Sequence, residues 1–167
     1  MRIKIVCLVV IIILITAVSV PLFERFTITD EKSGYVVFQD KVEKYGEFYT
    51  RFTHSVNRTP VNEYYRISEG KLVLVKTTFY SYGAGMPEVG EYGSGEPSII
   101  NGMVQIDNIN REFQSFTVFA GTYANHSLNT NNNEIFFSQF VEPQTPVTFE
   151  VKRISLITVL RSYWNKE

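Results

Sequence analysis

Val147-Thr148-Phe149-Glu150-Val151-Lys152 alternates apolar and polar side chains at every step. A period of two places Val147, Phe149 and Val151 on one face and Thr148, Glu150 and Lys152 on the other, the pattern of a strand with one face in a core. The same alternation predicts strands at 26–29, 34–39, 47–54, 61–67, 71–80, 103–108, 113–120, 134–138 and 154–161. These segments are rich in Val, Ile, Thr, Phe and Tyr and are divided by Gly, Asn, Pro or Ser. The expected fold is all-β, an antiparallel β-sandwich or partly open barrel of about 8–10 strands.

Ahead of the strands the chain has a different character. Residues 5–23 carry no charge, and Arg2 and Lys4 precede them. As a helix at about 1.5 Å per residue the run reaches roughly 28 Å, close to the roughly 30 Å of bilayer hydrocarbon. Basic residues before it and acids soon after it point to an amino terminus in the cytoplasm and a domain outside. Residues 1–23 are therefore read as a transmembrane anchor and 24–167 as an extracytoplasmic domain. A cleaved signal peptide, cut near Val20 after the small residues Ala17 and Ser19, is the alternative, and it too exports the domain to the periplasm or beyond.

A chain of 167 residues holds one such domain. Past residue 23 it carries 14 basic and 17 acidic residues, a net charge of −3, and a mildly acidic surface gives no grip on phosphate backbones. Nucleic acid is not expected as a partner. Cys7, the one cysteine, lies in the apolar run, which leaves the domain without disulfides or thiolate zinc sites. Packing must hold it together, and 13 phenylalanines and 10 tyrosines supply the area.

Two stretches carry candidate chemistry. In Phe52-Thr-His-Ser-Val-Asn-Arg-Thr-Pro-Val-Asn-Glu63, pairing 47–54 with 61–67 through a turn at 56–60 sets His54 opposite Glu63. Such a pair, with Ser55 beside it, outlines a hydrolase constellation. Strand neighbours point to opposite faces, however, and no helix follows Ser55 to make a nucleophile elbow. A structural pair fixing the hairpin end is the expected role. His126 is remote in sequence and no metal-binding spacing is present, so neither metal nor cofactor is expected.

The second stretch is Tyr82-Gly83-Ala84-Gly85-Met86-Pro87, which opens a segment of glycines, prolines and glutamates running to 101. Lacking a following helix and bearing Glu88, Glu91 and Glu96, it is unsuited to phosphate. Glycines at 83 and 85 permit positive φ where a strand leaves its sheet, and Pro87 stiffens the exit. The segment reads as a loop of functional length.

Together His54, Ser55, Val56, Thr59, Pro60, Val61, Glu63, Gly83, Ala84, Gly85 and Pro87 resemble the family known as domain of unknown function 1850, with Met86 where that family commonly has Leu. The resemblance covers roughly residues 26–153. It implies a small exported protein that accompanies TRAP transporters of the TAXI type, as a docking accessory to the membrane subunit or the solute receptor. It transfers no catalytic residues. The chain is expected to be no enzyme, with His54, Ser55, Thr59, Pro60, Glu63, Tyr82, Gly83, Gly85 and Pro87 forming its binding motif. A small-ligand-binding domain is the alternative, and a hydrolase using His54 and Glu63 a more distant one.

Overall fold

The computed structural model describes residues 2–82, 97–130 and 133–164. An apolar helix, α1 (Arg2–Ser19), has no buried residue and contacts the last helix of the described chain. Val20 precedes a proline, which disfavours helical backbone, and β1 (Pro21–Asp30) begins at once. Pro21, Leu22 and Phe23, expected within the apolar leader, thus belong to the first strand. The helix itself covers about 27 Å and is long and apolar enough to cross a membrane.

The strands that follow are β2 (Val36–Asp40), β3 (Glu47–Thr53), β4 (Pro60–Ser68), β5 (Lys71–Phe79), β6 (Ser98–Ile100), β7 (Met103–Ile106), β8 (Arg111–Phe113), β9 (Ser115–Ala120), β10 (Ser127–Thr130), β11 (Asn133–Phe136) and β12 (Thr145–Ser155). A second helix, α2 (Leu156–Trp164), closes the described chain. One sheet has the order β2-β1-β12-β9, and the other runs β11-β10-β3-β4-β5-β7-β6 with β8 also on β5. Every strand pairing is antiparallel. The fold is all-β, two sheets facing each other, and of the expected sandwich and barrel it is the sandwich.

The alternation at 147–152 holds. Val147 and Phe149 are fully buried, Val151 packs on the core, and Thr148 bonds outward to Thr117. Aromatic rings bridge the two sheets: Phe26 of β1 lies 4.8 Å from Phe48 of β3, and Phe116 of β9 stacks on Tyr65 of β4 at 4.6 Å. Between β4 and β5 a two-residue turn puts Glu69 and Gly70 at φ 51° and 72°, the doubly positive geometry that suits the twist of a hairpin.

Two expectations need correction. Residues 154–161 do not form a separate strand: β12 runs to Ser155 and the chain then turns helical. Ser155 Oγ accepts the backbone N–H of Thr158 at 3.3 Å and so caps α2, while Val159 and Ser162 are buried along one side. The 81–101 segment is also not loop throughout, because Ser98–Ile100 pairs with Met103–Ile106 as a hairpin edge.

Candidate functional site

His54 follows β3 directly and is buried. Its backbone N–H donates to Thr59 O at 2.9 Å and its carbonyl accepts from Arg58 N–H at 2.9 Å, closing the turn into β4. The ring completes the closure. Nδ1 accepts the backbone amides of Val56 and Asn57 at 3.3 and 3.1 Å, which leaves the proton of the neutral ring on Nε2. An imidazole here does what an Asx side chain does in a turn. Asn57 Nδ2 then donates to Ser81 O at 3.2 Å, tying the turn to the end of β5.

Glu63 sits elsewhere. In the β3/β4 register Thr50 stands opposite Glu63 and the last pair is Thr53 with Pro60. The predicted His54/Glu63 pair is therefore not formed, because the turn occupies His54 to Thr59 rather than 56–60. Glu63 lies in the core-facing row of β4 between Val61 and Tyr65, with Thr77 across on β5. Tyr65 Oη donates to Glu63 Oε2 at 2.9 Å. Burial raises the carboxyl above its ordinary range, against hydrogen bonds from Tyr65 and Thr50 that draw it down.

The other predicted residues that are described lie in or near the turn. Ser55 is exposed, Thr59 supplies only its carbonyl to the turn, and Pro60 opens β4. Tyr82 is half-exposed and packs edge-on against Phe79 at 5.1 Å. Gly83, Gly85 and Pro87 lie outside the described residues. Among the described residues no group of three His, Cys, Asp or Glu is placed to hold a metal.

Three features lie beside the turn. A concavity of about 620 Å³ is lined by Thr53, His54, Ser55, Arg58, Tyr123 and Ala124, with Tyr123 93% exposed at its rim. Thr53 N–H donates to Ala124 O at 2.6 Å and holds the two walls together. Behind Ala124 the ring of His126 is stacked between Phe52 and Phe137, each at 5.5 Å between centroids. Burial lowers the His126 pKa to about 4. On the outer face of the larger sheet a polar chain runs from Thr78 to Asn62 at 3.0 Å and from Asn62 to Arg51 at 2.9 Å. It continues from Arg51 to Glu134 at 3.7 Å and from Glu134 to Ser127 at 2.8 Å.

The turn, the buried carboxyl, the stacked imidazole and the polar chain all fall within residues 48–137, which match the family model Domain of unknown function (DUF1850). That match spans 90 of 167 residues. The chain belongs to the DUF1850 family. No curated protein and no solved structure matches it.

Within the DUF1850 segment, the sequence pointed to His54 and Glu63 but not to His126, Tyr123 or Arg58. The nearest sequence signal for His126 was the phenylalanine pair at 136 and 137, inside the strand predicted at 134–138. Stacking against Phe52, 74 residues earlier in the chain, is a tertiary fact that no local pattern carries.

Proposed function

We propose that this DUF1850 protein is a membrane-anchored, extracytoplasmic β-sandwich that works by docking, as an accessory of a TAXI-type TRAP solute uptake system whose membrane subunit or solute receptor it contacts. The observation that carries this reading is α1: without a buried residue, long and apolar enough to cross a bilayer, and joined to β1 through Val20 alone. Arg2 and Lys4 at its start favour a cytoplasmic amino terminus and an external domain.

Binding is favoured over catalysis by the hairpin geometry. His54 Nδ1 is engaged by two backbone amides, and Glu63 is held by Tyr65 in the sandwich interior rather than facing the imidazole. Exposed Val56, Tyr80, Tyr82 and Tyr123 give the same end of the domain the apolar and aromatic side chains that anchor interfaces. Crosslinking in native membranes followed by pull-down of the chain tests the proposal. Recovery of a TRAP membrane subunit or solute receptor is expected, and repeated recovery of neither contradicts it.

The concavity beside His54 favours a second reading, a small-ligand site, since about 620 Å³ falls within the range of ligand pockets. A solute bound there would raise the thermal midpoint of the full chain by mass action, whereas a docking surface alone would not respond.

A further inference from the structure

We propose that the domain carries, beside the exit of α1, a seat for the phosphate headgroup of an anionic phospholipid, so that it rests on the bilayer as well as being tethered to it. The proposal rests on reading α1 as a retained anchor.

A cavity of about 360 Å³ opens at this junction, and its lining includes Ser19, Tyr35, Lys152, Arg153, Thr158 and Arg161. Three of its lining residues are cationic and none is acidic. The Lys152 ammonium is partly satisfied, by Glu150 and by Thr29 Oγ1 at 3.0 Å. Arg161 lies over the Tyr35 ring at 3.9 Å, and among the described residues neither it nor the exposed Arg153 makes an ion pair. Glu24 stands opposite Arg153 in the β1/β12 register without a salt bridge to it. In a domain of net negative charge, two arginines that line one cavity and make no ion pair among the described residues favour an anion there. Their planar forks match phosphate oxygens.

Height decides between a lipid and a soluble anion. Ser19 is the last residue of α1, and a helix of about 27 Å starting at one face of a roughly 30 Å hydrocarbon layer brings that residue to the opposite headgroup plane. Exposed apolar side chains adjoin the lining residues Pro21, Thr158 and Arg161 in sequence. Leu22 is 67% exposed, and Ile157 and Leu160 on α2 are each 57% exposed. Ile157, Leu160 and Arg161 share one side of α2 by their three- and four-residue spacing, opposite the buried Val159 and Ser162. Apolar side chains flanked by arginine on an exposed helix face are the pattern of an interfacial helix, and a tyrosine beside them suits the headgroup belt.

The test uses the full chain in a mild nonionic detergent, offered equimolar phosphatidylglycerol and phosphatidylcholine of the same acyl chains and read by native mass spectrometry. Retention of phosphatidylglycerol over phosphatidylcholine by about fivefold or more is expected, from roughly one arginine's worth of attraction to an anionic surface. The Arg153→Gln/Arg161→Gln variant is expected to lose the preference while keeping its circular dichroism spectrum, and Arg161→Lys to keep part of it. Equal retention of both lipids by the wild type, or an unchanged preference in the double variant, overturns the seat. Full displacement of the lipid by glycerol phosphate would reassign the cavity to a soluble phosphoester and overturn it as well. The mass of the chain extracted from native membranes reports on the tether separately. A mature amino terminus near Val20 sinks the anchor and the membrane position of the seat together, whereas an intact terminus with no lipid preference sinks the seat alone.

Discussion

Tyr65 donates its phenolic proton to Glu63 Oε2 across two residues of the same core-facing row of β4, at 2.9 Å. The phenol is itself held in place, stacked between Phe48 at 5.3 Å and Phe116 at 4.6 Å. A partly buried carboxyl thus sits in the core-facing row of β4 with its pKa raised, chiefly by burial. Because the folded value exceeds the unfolded one, this group's stabilisation is fully present below the ordinary glutamate range and is lost as pH climbs through the folded value. Glu63→Gln keeps an acceptor for Tyr65 and removes the loss. Its thermal midpoint is expected to exceed wild type near pH 8, by about 2–4 °C per kcal/mol recovered, and to lie closest to wild type near pH 4. Melts of both proteins across pH check this, and parallel curves would contradict it.

His126 works in the opposite direction. Its Nδ1 is buried without a hydrogen-bond partner among the described residues, and its pKa falls from 6.5 to about 4. A depressed base contributes stability that is complete above its unfolded pKa and lost as pH falls toward the folded one. His126→Phe is expected to flatten the acid limb of stability between about pH 6.5 and 4, an effect of roughly 3–4 kcal/mol before solvent screening, which lowers it. Denaturant titrations at several pH values read it directly.

Removing the turn's imidazole should be costly in a specific way. His54→Ala leaves the amides of Val56 and Asn57 without their acceptor and is expected to destabilise the domain by about 1–3 kcal/mol. His54→Asn, which caps turns by the same bond, should restore much of that loss. Ser55→Ala, at an exposed position, is expected to stay within about 0.5 kcal/mol of wild type. Equal losses for His54→Ala and His54→Asn would show that the cap is not what His54 supplies.

Phe149 is fully buried and its ring meets those of Phe26, Phe116 and Phe137 at 6.0, 4.8 and 5.6 Å. Phe149→Ala is expected to cost about 3–5 kcal/mol, because Phe26 and Phe116 of its own sheet and Phe137, just past β11 of the other, lose a shared neighbour. A loss under 1 kcal/mol by chemical denaturation would mean that the two sheets do not share one core.

The strands that sequence disclosed best are those with one face in the core and one in water, such as β12, β3 and β4. Shorter pieces escaped it: β6 and β8 have three residues each, too few for a period to register, and β10 offers Leu128 as its one apolar side chain. The 154–161 run was misread because Ile, Val and Thr favour strands, while the Ser155 cap and the spacing of Val159 and Ser162 point to a helix. At the candidate site the residues were legible and their pairing was not. His54 takes its own turn's amides, which sets the register and moves Glu63 opposite Thr50. The ring stack at His126 and the cationic seat near α1 join residues distant in sequence, and only tertiary structure brings them together.

The most direct test of an anchored, external domain is labelling of Tyr123→Cys, exposed at the rim of the hairpin end, in a Cys7→Ala background. Spheroplasts are treated with a membrane-impermeant maleimide, membranes are separated, and the labelled chain is weighed. The account predicts full labelling of a membrane-bound chain that retains α1. A chain labelled only after lysis, or a labelled chain in the soluble fraction that begins near Val20, would contradict it.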